Sequence, residues 1–187
     1  MRNKIRWYNT DKGDGSAEYL CAYCENKVAS HESYSSDSYE VIAICPHCTK
    51  PTYLSNEGQL PQAPVGNKVE HLPELVEALY TEARNCVSVG AYTSSVLASR
   101  KLLMNIAVSV GASEGDRFIS YVNYLADKGY FPPNGRLWVD QIRKKGNEAT
   151  HEIALMTHQD ATDLITFSEM LMKFIYEFPA KMEQAQT

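Results

Sequence analysis

Cys21-Ala-Tyr-Cys24 and Cys45-Pro-His-Cys48 constrain this chain more than any other feature. Each is a C-x-x-C pair, and twenty residues lie between them. Two such knuckles at that spacing predict a four-thiolate zinc site, closed by a folded-back pair of strands. Four thiolates at about 2.3 Å leave no open coordination position, so one structural Zn2+ with no chemistry of its own is expected. The first third of the chain is too small to fold on apolar burial alone, and metal binding becomes part of its folding free energy. His31 and His47 lie nearby in sequence, but four thiols suffice, so both are expected to face solvent. The ribbon either presents a surface to nucleic acid or a protein partner, or caps the rest of the chain. The cysteines leave both readings open.

The 187 residues suit one ordinary domain and a small one. With 44% apolar and 22% charged residues the chain reads as globular. Its apolar runs are too short to span a membrane, and Met1-Arg-Asn-Lys-Ile-Arg-Trp7 has no apolar stretch after it, so no signal peptide is read. These features predict a cytoplasmic protein, where paired cysteines bind metal more often than they form disulfides. Cys86, alone in a helical pattern, reads as a small core residue. The net charge of −5 argues against coating nucleic acid by charge alone.

Residues 1–58 read as the zinc ribbon, with strands over Ala17–Cys21, Tyr39–Cys45 and Thr52–Leu54. The serine-rich stretch Ser30–Ser38 reads as a loop. Residues 59–70, with Pro61, Pro64 and Gly66, read as a linker. From residue 71 to 187 the period becomes helical. Pro73 opens a first helix with Leu75, Leu79, Ala83 and Cys86 at helical spacing, and Gly90 closes it. A second covers Tyr92–Val110 with Val96, Leu97, Leu103 and Ile106 apolar. A third covers Asp116–Lys128 with Phe118, Ile119, Val122 and Leu125. A fourth begins near Arg136. A last runs from Asp160 to Phe178 with Leu164, Ile165, Phe167, Leu171, Phe174 and Ile175, and Pro179 ends it. The expected fold is mainly α: a bundle of about five helices preceded by a small β zinc ribbon.

In the stretch Val139-Asp-Gln-Ile-Arg143-Lys-Lys-Gly-Asn147-Glu-Ala-Thr-His151, successive i, i+4 steps keep Arg143, Asn147 and His151 on one helical stripe. A guanidinium fork, an amide and an imidazole that titrates near neutrality suit a phosphodiester. Lys144 and Lys145 beside them, and Arg100 in the second helix, are candidate phosphate ligands. The bland alternatives are equally concrete. Gly146 ends the helix and Asn147 caps the next turn. The lysines form a solvated face, and Arg100 is a partly buried cation paired with Glu82 or Asp163.

The C-x-x-C pairs, Leu72-Pro-Glu-Leu-Val-Glu-Ala-Leu-Tyr-Thr-Glu-Ala, Arg100, Ile142-Arg143-x-x-Gly146-Asn147-x-x-x-His151 and the Gln159-Asp-Ala-Thr-Asp-Leu-Ile helix together resemble domain of unknown function family 4145, from about residue 70 to the end. That family is similar to the HEPN superfamily of small helical bundles. Many of those dimerise so that Arg and His from each subunit build a metal-independent ribonuclease site, in toxin–antitoxin, phage-defence and RNA-processing systems. The resemblance implies a homodimer with His151 as the proton-moving residue and Asn147 as its polar neighbour. Catalytic HEPN proteins usually carry Arg directly before the polar residue. Here Gly146 stands there and Arg143 lies nearly a turn earlier. Relatives often carry an acid four residues after the helix-two Arg, where this chain has Met104. The expectation is therefore a nucleic-acid-related protein: either a ribonuclease in defence or stress response, or a non-catalytic zinc-ribbon adaptor or dimerisation module that binds nucleic acid or a protein partner.

Overall fold

The computed structural model describes residues 7–9, 17–38, 40–131, 144–145 and 155–185. The chain divides into two compact units, Met1–Pro64 and Val65–Thr187.

The first unit is a set of short antiparallel strands. β2 (Ala17–Leu20) pairs with β3 (Lys27–Ser30), with Tyr19 opposite Val28. A five-stranded sheet runs in the order β1 (Trp7–Asn9), β4 (Ser33–Ser36), β5 (Val41–Ile44), β6 (Pro51–Ser55), β7 (Gly58–Leu60). The serine-rich stretch expected as a loop thus contains a strand. The cause is context: β4 lies between two partners, and Ser36 is buried and receives the backbone N–H groups of Ser38 and Glu40 on its hydroxyl. Neighbouring strands override the low propensity of serine. The two sheets are tied by Ser30, whose hydroxyl is 2.7 Å from the Glu32 carbonyl and 2.6 Å from the Ile44 carbonyl. Gln59 adds a second tie, donating to the Leu20 carbonyl at 2.9 Å.

The second unit has four helices among the described residues: α1 (Glu74–Ser88), α2 (Tyr92–Ser109), α3 (Phe118–Asp127) and α4 (His158–Met172). α2 packs on α1, α3 and α4, and α1 on α4. Their core holds Val76, Leu79, Leu102, Ile106, Val122, Leu164 and Phe167. The expected helix beginning near Arg136 lies outside the described residues. The described chain is a mixed α/β protein, with seven strands beside the helices, rather than mainly α.

Most of the expected apolar positions are buried, but each of three stripes includes one that is not. In α1 the buried positions are Val76, Leu79, Tyr80, Ala83 and Val87, and Leu75 is exposed. Leu97 and Phe174 are exposed as well. Apolar residues flank both sides of each true stripe, so hydropathy alone admits a neighbouring face. α4 begins two residues earlier than expected, because Thr157 and Asp160 form a reciprocal capping box. It also continues past the expected stop. A π-helical stretch, Lys173–Glu177, leads into a last helical stretch, Phe178–Gln184. Pro179 sits in the first turn of that stretch, directly after the π-helical turn.

The π stretch has a consequence for packing. Residues eight apart on an uninterrupted α-helix are offset by about 80°. One extra residue per turn removes most of that offset, so Glu169 and Glu177 share a stripe. Both are buried and both grip one segment. Glu169 takes the Asn67 backbone N–H at 2.8 Å and its side-chain amide at 2.9 Å, and Glu177 takes the Glu70 N–H at 3.0 Å. Arg84 holds the Val65 and Gly66 carbonyls, and the Tyr80 hydroxyl holds that of Asn67. Val65–Glu70, expected within a linker, is a strap tied down along its length.

Candidate metal centre

Each C-x-x-C pair forms the turn of a hairpin: Cys21–Asn26 joins β2 to β3, and Cys45–Lys50 joins β5 to β6. The two turns carry the same hydrogen bonds. Cys21 N–H reaches the Asn26 carbonyl at 3.0 Å and Glu25 N–H the Cys21 carbonyl at 2.9 Å; Cys45 N–H reaches the Lys50 carbonyl at 3.0 Å and Thr49 N–H the Cys45 carbonyl at 2.8 Å. Glu25 and Thr49, each following the second cysteine of its pair, have φ of 59° and 61°. That left-handed turn is uncommon for such residues and marks a backbone bent to a purpose.

The purpose is visible at the sulfurs. The four Sγ atoms of Cys21, Cys24, Cys45 and Cys48 lie within 4.8 Å of one another. Cys21 to Cys48 and Cys24 to Cys45 are each 3.7 Å. A tetrahedron of thiolates about 2.3 Å from a central ion has edges of about 3.8 Å. Disulfide sulfurs would lie about 2.05 Å apart, so these are free thiols spaced as ligands. The four cysteines are positioned to bind one metal ion. Cys21 and Cys45 are fully buried, Cys24 and Cys48 partly so.

The electrostatics fit the same reading. Burial pushes the Cys21 thiol up to about 12, against the pull of the Tyr23 and Cys24 backbone amides. Burial also raises Cys24, but the amide and side chain of Asn26 and the sulfurs of Cys21 and Cys45 outweigh it and bring Cys24 down to about 6. Cys48 is raised, by burial first, against the Lys50 amide. Four sulfur donors at this spacing suit a soft or borderline ion such as zinc.

The same unit buries two hydroxyl-bearing residues that composition did not single out, Tyr19 and Thr52. Burial raises Tyr19 to about 12; a side-chain hydrogen bond with Thr52 acts against this, and the Cys45, Cys21 and Cys48 sulfurs add to it. The available signal was strand period: Tyr19 is two residues before Cys21, and Thr52 pairs with Ala43, two before Cys45.

The other sequence candidates are less fully placed. Arg143, Asn147 and His151 lie outside the described residues. Lys144 is exposed. Lys145 Nζ pairs with Asp160 Oδ1 at 2.9 Å, at the start of α4. Arg100 lies over the Phe118 ring, 4.2 Å from its centroid, and burial lowers its pKa. Asp163, one of its two expected partners with Glu82, accepts from Gln159 at 2.7 Å. His31 and His47 are exposed and stand outside the sulfur cluster.

Residues 81–187 match the family model of a domain of unknown function, DUF4145. The chain belongs to the DUF4145 family. The match starts inside α1 and ends at the last residue, so it lies within the helical unit and leaves the four-cysteine unit outside. No curated protein and no solved structure matches the chain significantly. No described helix is long and apolar enough to cross a membrane.

Proposed function

We propose that this DUF4145 protein is a nucleic-acid-related protein whose N-terminal ribbon, tied by one structural zinc ion, is a binding head on a HEPN-like, homodimeric helical domain. The observation that carries this reading is the closed set of four sulfurs at ligand spacing. It leaves no coordination position for a substrate, so the ion's role is to shape the surface around it.

The N-terminal unit carries exposed aromatic side chains. Tyr23, within the first knuckle, is 45% exposed, and Lys50 Nζ lies 4.8 Å from its ring centroid. Trp7 and Tyr34, on adjacent strands, are 39% and 38% exposed. Unpaired bases stack on such rings with little regard to sequence. With a net charge of −5, affinity would come from stacking and a few cations rather than from overall charge. The same surface would serve an adaptor that grips a protein partner.

Family membership favours a second reading, because the matched span includes Arg143, Asn147 and His151. In it the dimer is a metal-independent ribonuclease of defence or stress response. The RNA 2′-hydroxyl attacks the adjacent phosphorus and gives its proton to His151, the P–O5′ bond breaks and the 5′-oxygen leaves with a proton from water, and Arg143, with Lys144 beside it in sequence and Arg100 as a further candidate cation, offsets the phosphorane charge.

One pair of assays separates the readings. Labelled single-stranded RNA is titrated into the full chain, and the same RNA is incubated with it without added metal. Binding that weakens about tenfold in Tyr23→Ala supports the binding head. Cleavage that disappears in His151→Ala supports the nuclease. A chain that neither binds nor cleaves RNA refutes the nucleic-acid role and leaves the protein-partner adaptor.

A further inference from the structure

We propose that the outer face of the five-stranded sheet binds an extended cationic segment of a protein partner, its arginines laid on Trp7 and Tyr53 and held by Glu40 and Glu57. The inference rests on the reading of the N-terminal unit as a binding head and gives the chemistry of that head's protein partner. Strand register defines the face. Residues directly opposite on paired strands share a side, so Tyr34, Ile42, Tyr53 and Leu60 form one row across four strands. Trp7 joins the row from the neighbouring strand, where it pairs with Ser36, two residues after Tyr34. The opposite side, with Val41, Ala43 and Leu54, packs with the cysteines. Among the described residues, neither apolar core includes Trp7, Tyr34, Ile42, Tyr53 or Leu60. Trp7, Tyr34 and Leu60 are exposed. With strands about 4.8 Å apart the row is about 14 Å long, which an extended segment of about five residues covers.

Charge decides what such a face takes. The Trp7 and Tyr53 rings meet edge to face, with centroids 6.4 Å apart and an interplanar angle of 67°. Tyr53 also lines a cleft of about 270 Å3 with Glu40 and Glu57, and Ser38, Ser55 and Asn56 complete its wall. Glu40, the largest influence on the Tyr53 hydroxyl, raises its pKa through a side-chain hydrogen bond. Among the described residues, no Lys or Arg lines the cleft. Arginine suits this surface: its guanidinium is weakly hydrated, stacks flat on aromatic rings and forms a fork that fits a carboxylate. The rings would stack on any flat group, but a run of phosphates would meet the two carboxylates, so the face favours a cation. At the first knuckle the sign is reversed, because Lys50 lies over the Tyr23 ring. The two aromatic sites thus select opposite charges.

That selection gives the test. A fluorescein-labelled peptide of alternating Arg and Pro is titrated with the full chain and followed by anisotropy, beside the matching peptide of alternating Glu and Pro and a labelled single-stranded RNA. Proline keeps both peptides extended. The Arg peptide is expected to bind about tenfold more tightly than the Glu peptide. Trp7→Ala should weaken it about tenfold, as loss of an aromatic anchor does. Glu57→Gln should weaken it about threefold, and because Glu57 lies in an exposed turn that loss cannot be ascribed to unfolding. Equal binding of the two peptides, or full affinity for the Arg peptide in both variants, overturns the inference. So does RNA binding that is lost in Trp7→Ala, which would make the face part of a nucleic-acid site. RNA binding lost only in Tyr23→Ala, with no binding of the Arg peptide, refutes the inference and keeps the binding head. A chain that binds none of the three probes refutes the inference together with the nucleic-acid reading.

Discussion

Glu169→Gln tests whether one buried carboxylate holds the strap to the helical unit. The replacement keeps the side chain's size but turns one acceptor oxygen into a donor. In the native chain Oε2 takes the Asn67 backbone N–H, and Oε1 takes the Asn67 side-chain amide and Lys173 Nζ. The amide can satisfy one of these and must face another donor. A hydrogen bond to a buried charge contributes about 1.5–3 kcal/mol, and because Asn67 is exposed its freed groups recover water, so the loss falls at the lower end, about 2 kcal/mol. For a unit the size of Val65–Thr187 that corresponds to a melting shift of about 6–10 °C. Urea and thermal unfolding of the full chain, followed by the helical circular dichroism signal, measure it. A loss under about 0.5 kcal/mol would refute the carboxylate as the strap's anchor.

The same residue sets an acid limit. Burial raises the Glu169 carboxyl, but Lys173 and Asn67 outweigh it and hold it below its ordinary value of 4.5. Its contribution is therefore complete above about pH 4.5 and lost as pH falls through the lower folded value; identical acid unfolding in wild type and Glu169→Gln would contradict this. Gly66→Ala should destabilise the helical unit by more than about 1 kcal/mol, since an added Cβ would meet the Tyr80 hydroxyl at 2.6 Å and Ile165 Cγ2 at 2.8 Å, at a φ of +72°. A neutral Gly66→Ala in the same melts would show that the strap is held more loosely than its contacts indicate.

What could be read from sequence follows how far apart the cooperating residues lie. The cysteine pairs were legible because each knuckle is a local turn with fixed spacing, and the helices Glu74–Ser88 and Tyr92–Ser109 because Pro73, Gly90 and Gly111 punctuate them. The strand Ser33–Ser36 was not, since its stability comes from β1 and β5 on either side rather than from its serines. The strap was invisible for the same reason: Asn67 and Glu169 are 102 residues apart, and the π stretch that aligns Glu169 with Glu177 leaves no compositional mark. Tyr19 and Thr52 fell between these cases. Strand period points to them, but only the folded unit shows that both side chains are buried. The stripe Arg143, Asn147 and His151 was legible as a pattern and lies outside the described residues.

The central claim is that four cysteines hold one ion. Its most direct test is the metal content of the full chain purified without chelator, with thiol reactivity measured on the same sample. One zinc per chain is expected, with four cysteines that react only after chelation or unfolding. Well under one metal ion per chain, with all four thiols freely reactive in the folded protein, would contradict it.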